Sequence, residues 1–122
     1  MREPLLDVFV PGKPIARPSA RMWKRRKGLF EWSRTVAWTV KACRVGMPLV
    51  DEPVGLQLTF YTVHAADLSN LVKCVEDAMT KVLYTDDKHV RELRARIVPP
   101  IRSLQREGVS IVAYAPPEGD LW

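Results

Sequence analysis

The sequence predicts an α+β (α/β-type) domain, a small mixed β-sheet with two main helices packed against it in the order β-α-β-α-β-β. Short runs of alternating apolar residues mark the strands, and two longer stretches carry apolar residues at helical spacing. The chain has 122 residues with no repeat or low-complexity segment, so residues 1–122 read as a single domain. A chain of this size buries roughly two-thirds of the surface its unfolded form exposes.

Leu6, Val8 and Val10 alternate as in a half-buried strand, which Pro11-Gly12 ends. From Lys13 to Gly28 proline and charge are too dense for a regular element, and an exposed loop or arm is expected. Trp32, Val36, Val40 and Cys43 then recur at helical spacing, predicting a helix over 31–45 with Gly46 as its stop. Between Gly55 and Val63, Leu56, Leu58 and Phe60 alternate with Gln57, Thr59 and Tyr61, the pattern of a second strand. Asp67 has the chemistry to cap a second helix, whose apolar stripe is Leu68, Leu71, Val75, Ala78 and Val82. On its opposite flank Asn70, Lys73 and Asp77 fall within an arc of roughly 60°. Leu93, Ala95 and Ile97 form a third alternating run and Val109, Ile111 and Ala113 a fourth, separated by a loop that begins at Pro99-Pro100. A strand, helix, strand unit favours a right-handed parallel crossover, and the last two strands are expected to form an antiparallel pair.

Composition narrows the function. Hydrophobic residues make up 47% and charged residues 27%, which excludes wholesale disorder. No apolar run approaches membrane-spanning length, and Asp7 interrupts the short apolar stretch after Met1-Arg2-Glu3-Pro4, a poor match to a signal peptide. A cytoplasmic location is expected. Cys43 and Cys74 lie far apart without metal-ligand spacing, so reduced packing residues are expected rather than a disulfide framework.

The net charge of +5 is unevenly spread. Between Gly12 and Arg44, Lys13, Arg17, Arg21, Lys24, Arg25, Arg26, Lys27, Arg34, Lys41 and Arg44 face a single acid, Glu31. Between Asp51 and Val90 the balance reverses, with Asp51, Glu52, Asp67, Glu76, Asp77, Asp86 and Asp87 against Lys73, Lys81 and Lys88. Basic segments attract polyanions by counterion release, whereas concentrated acids repel a phosphate backbone unless a cation neutralises them. A basic arm that holds nucleic acid and an acidic cluster that holds metal satisfy both facts. Attraction between the two halves, within or between subunits, is the plainer alternative. Carboxylates bind hard cations such as magnesium, which activate water and stabilise charge on phosphate, so the acids around Lys73 point to a metal-dependent phosphodiester hydrolase.

Asp67-Leu68-Ser69-Asn70-Leu71-Val72-Lys73, then Asp77, then Asp86-Asp87, resembles the RusA-type Holliday junction resolvases, endodeoxyribonucleases often carried by phages and prophages. In that family a strand leads into an Asp-x-Asp-Asn-x-x-Lys helix, an aspartate follows four residues after the lysine, and an Asp-Asp pair comes about ten residues later. Gly12-Lys13-Pro14 and Arg17-Pro18 also look like the family's basic, proline-containing segment. The resemblance is strongest from Asp67 to Val90 and loose before Pro53.

The resemblance implies magnesium, with manganese as a substitute, held by Asp67 and Asp87, with Lys73 stabilising charge in the transition state or on the leaving oxygen. Ser69 stands where the family most often has a second metal-binding aspartate, and a neutral hydroxyl is a much weaker magnesium ligand. Asp77 or Asp86 supplying the missing charge is the favoured outcome; a water bridging Ser69 to the cation, or a weakly active or non-catalytic branched-DNA-binding protein of the same fold, are the others. A less selective nuclease acting on branched DNA also stays open.

Lys13, Arg17, Arg21, Lys24, Arg25, Arg26 and Lys27 are the expected DNA contacts, with Trp23 placed to stack on an unpaired base or to pack in the fold. Arg94 and Arg96 are weaker candidates, and His64 and His89 are expected in structural or surface roles. A four-way junction offers two symmetry-related strands, so a homodimer is expected, with Trp32, Trp38 or a strand edge as contributors to its interface.

Overall fold

The computed structural model describes residues 3–16, 28–63, 67–100 and 106–117. Four strands and two helices follow the expected order: β1 (Leu6–Pro11), α1 (Leu29–Cys43), β2 (Val54–Tyr61), α2 (Leu68–Met79), a short 3₁₀ turn η1 (Asp87–His89), β3 (Val90–Val98) and β4 (Gly108–Tyr114). The strands form one mixed sheet in the order β1-β4-β2-β3.

The β2-α2-β3 unit is parallel, as its sequence predicts, with Leu56 opposite Leu93 and Phe60 opposite Ile97. The expected β3–β4 pair does not form. β4 instead lies between β1 and β2 and is antiparallel to both. Burial explains the choice: Val109, Ile111 and Ala113 are fully buried and meet Leu56, Leu58 and Phe60 along β2, so the more apolar strand takes the centre. β3 carries exposed Arg91, Leu93, Arg94 and Arg96, and suits the sheet's edge.

Both helices join one core with the inward faces of the strands. Trp32, Val36 and Val40 project from α1, as their spacing predicts, whereas Cys43 is exposed at the helix end. From α2, Leu71, Val75 and Ala78 are joined in the core by Val72, Cys74 and Met79. Phe30 and Trp38 lie on the outer flank of α1, with the Arg34 guanidinium 5.4 Å and 4.3 Å from their rings.

Residues 13–16 form no regular element, as expected, but Pro14 and Ala16 are buried rather than exposed, so the start of the proposed arm is anchored. Packing between β4 and β1 is close at Gly108, where an added Cβ would overlap the Val10 carbonyl and the Phe9 ring. Gly108→Ala is therefore expected to destabilise the fold by about 1–3 kcal/mol, the usual cost of overpacking, seen as a lower urea midpoint with an unchanged slope.

Candidate active site

Helix α2 and the chain that returns from it build the site. Asp67 caps the helix as expected, its Oδ1 accepting from the Asn70 N–H at 3.3 Å. One face of the helix is buried, which leaves Lys73 and Asp77 on the accessible flank, both side chains 44% exposed. The helix stops at Thr80, where the backbone becomes extended and the Thr80 hydroxyl donates to the Glu76 carbonyl at 3.1 Å. Lys81 takes φ 68°, a left-handed turn that reverses the chain.

Leu83 and Tyr84 then plug into the core, fully buried. The Tyr84 hydroxyl donates to the Glu76 carbonyl at 2.9 Å, and its burial raises its pKa. Val50 holds the other side: its N–H donates to the Leu83 carbonyl at 2.8 Å, and its carbonyl accepts from the Thr85 N–H at 3.1 Å. Asp86 caps η1 by accepting from the Lys88 N–H at 2.9 Å, a bond that lowers its pKa. His89 Nε2 lies 3.0 Å from both Asp51 Oδ1 and Thr85 Oγ1, and the Thr85 hydroxyl donates to Asp51 at 2.9 Å. These bonds hold Asp51 below the usual carboxylate range, Thr85 more than His89.

This frame delivers Asp87 to Lys73. The Lys73 ammonium donates to Asp87 Oδ2 at 3.1 Å and lies 3.7 Å from Asp77 Oδ1. Its pKa is raised, first by the Asp87 hydrogen bond and then by the Asp77 charge. Half-buried Glu76 also feels this cluster. Its pKa is raised mainly by burial and further by Asp87 and Asp77, against the pull of Lys73. Asp87 and Asp77 approach the Lys73 ammonium directly, and Glu76 lies within its electrostatic reach.

Of the sequence-predicted site, Lys73, Asp77 and Asp87 come together, Asp67 and Asp86 are both caps, and Lys13 is exposed after β1. Asp67 and Asp77 sit at opposite ends of the 12-residue α2, separated by about 15 Å of helical rise, so the two do not share one directly coordinated ion. Among the described residues no three His, Cys, Asp or Glu side chains converge into a ready metal cage. Magnesium needs none, since it is commonly held by one or two carboxylates, waters and substrate phosphates. The partly exposed Asp87 carboxylate at the end of this turn fits such an ion. Glu76 and the Asp51-Thr85-His89 group were not singled out as site residues from the sequence; His89 has the structural role expected of it. Arg17, Arg21, Trp23, Lys24, Arg25, Arg26, Lys27 and His64 lie outside the described residues.

The family model for endodeoxyribonuclease RusA matches residues 11–112, taking in α1, β2, α2, η1 and β3 whole and most of β4. The chain belongs to the RusA family. RusA proteins are junction-resolving endonucleases, and the Lys73-Asp87 contact lies within the matched span. No curated protein matches the chain. Among the described residues no helix is long and apolar enough to cross a membrane.

Burial makes ionised Glu76 unfavourable, so with a raised folded pKa its contribution to stability is greatest below the ordinary glutamate pKa and is lost as pH rises through the folded value. In chelator, Glu76→Gln is expected to raise Tm at pH 8, with the gain shrinking toward pH 4. Thermal unfolding of both proteins across that range checks the sign.

Proposed function

We propose that this chain is a magnesium-dependent, structure-selective endodeoxyribonuclease that hydrolyses phosphodiester bonds at four-way DNA junctions in recombination and repair, acting as a cytoplasmic homodimer. The observation that carries the reading is the Lys73 ammonium held by Asp87 and Asp77 on an accessible helix face, in a chain of the RusA family.

Asp87 is the proposed central ligand for the cation, with a second carboxylate from α2: Asp67 on the N-terminal side of Lys73, as the family motif implies, or Asp77 on the C-terminal side, as proximity favours. When bound, the cation supplies Lewis acidity toward the scissile phosphate and lowers the pKa of water. Asp87 would do two jobs, since the carboxylate that would hold the cation also fixes the Lys73 ammonium. The raised pKa of Lys73 keeps it charged through the physiological range. From there it donates to a phosphate oxygen as negative charge builds in the transition state. The basic residues Lys13, Arg17, Arg21, Lys24, Arg25, Arg26 and Lys27 are the proposed backbone contacts, reading shape rather than sequence. Two protomers related by a twofold axis would place one site at each strand of the junction.

Lys73→Ala is expected to lower single-turnover cleavage of a mobile four-way junction by roughly a hundredfold or more while binding persists in chelator. Full cleavage by that variant overturns the assigned role. Asp87→Asn should abolish cleavage under either ligand arrangement. Comparing Asp67→Asn with Asp77→Asn over a magnesium titration identifies the partner ligand, as the variant that requires more metal or loses cleavage. Binding without nicks by the unaltered protein, in magnesium and in manganese, would instead assign a DNA-binding protein that Ser69 has rendered inactive.

A further inference from the structure

The face of the sheet turned away from the helices has its own feature. Strand alternation sends Leu56, Leu58 and Phe60 into the core, so Gln57 and Thr59 point to the opposite side of β2. The parallel register sets Arg94 beside Gln57 and Arg96 beside Thr59. Together with Leu58 and Ala95 they line a hollow of about 300 Å³.

The charge in this hollow is unusually free. Among the described residues neither Arg94 nor Arg96 has an ion pair or a side-chain hydrogen bond. The nearest acid on the same face of β3, Glu92, accepts from the Tyr114 hydroxyl, which sits over Gly55 where an added Cβ would overlap its ring. Two guanidinium groups two residues apart on one strand project in parallel, each with a planar fork of donors suited to an oxyanion. Gln57 adds an amide and Thr59, almost fully buried, a hydroxyl. The floor is fixed by sheet hydrogen bonding, so binding does not have to order a loop.

We propose that the Arg94-Arg96 hollow is a phosphate-binding site, separate from the Lys73 cluster and on the opposite face of the sheet. Its ligand is a phosphate group, supplied either by the backbone of a DNA arm or by a small phosphorylated molecule. The anion chemistry stands without the cleavage reading; a DNA arm as the source rests on that reading.

The test compares the full chain with R94Q/R96Q in chelator, so that failed cleavage and failed phosphate binding are read separately. Both side chains are exposed on an edge strand, and folding of the variant is checked by thermal unfolding. Affinity for a four-way DNA junction is measured over a range of salt, and inorganic phosphate is titrated against each protein while backbone amide shifts are followed at Gln57, Thr59, Arg94 and Arg96. With a DNA arm as the source, the salt dependence of junction affinity falls by about two phosphate contacts' worth, roughly 1.8 in log–log slope. With a small molecule as the source, the junction slope is unchanged but the phosphate-induced shifts disappear in the variant. An unchanged slope together with no phosphate-dependent shifts in the parent protein overturns the proposal. So does a change of oligomeric state in the variant with phosphate binding intact, which would assign the face to a second copy of the chain.

Discussion

Everything at the site depends on the return of the chain after α2. Asp87 and Lys73 are 14 positions apart, and they meet at 3.1 Å only because Lys81 reverses the chain while Leu83 and Tyr84 anchor it in the core. An exposed ion pair contributes little by itself. Here the geometry is set by buried packing and by backbone bonds to Val50, and the ion pair is the result of that framework rather than its cause. Such over-determination suits the proposed phosphodiester hydrolysis, because a donor placed before charge develops requires no rearrangement during reaction.

Tyr84 shows how core and site are linked. Its ring fills the core while its hydroxyl closes on the carbonyl of Glu76, one turn of α2 away from Thr80. The helix end is thus stitched to the very segment that carries Asp86 and Asp87. Opposite it, Asp51, Thr85 and His89 tie the same segment to the approach to β2. The acidic turn is clamped from two sides, which keeps two adjacent carboxylates directed to different tasks: Asp86 to the backbone of η1, Asp87 to Lys73.

Local signals made much of this legible. The alternation of β1 and β2, the apolar stripe of α2 and the capping chemistry of Asp67 are properties of neighbouring residues, and each element formed within a few positions of where it is expected. The arc shared by Lys73 and Asp77 likewise follows from helical geometry alone. Long-range pairing was less legible. Sequence order suggested that β4 would follow β3 in the sheet, but the decisive quantity was relative apolarity, which sends Val109, Ile111 and Ala113 to the centre and the arginines of β3 to the edge. Asp51 and His89 are 38 positions apart, so no local pattern announces their contact. Glu76 looked like one acid among several until its half-burial set it apart.

The central place of β4 has a consequence for how the molecule comes into being. Strand β4 follows β1, β2 and β3 in the chain and is the one that joins β1 to β2, so during synthesis β1 lacks this partner until β4 has emerged. Non-local pairing of this kind slows assembly because loop entropy is lost before contacts compensate it. A nascent chain stopped short of Gly108 would expose the apolar flanks of two separated strands and become a substrate for chaperones and proteases.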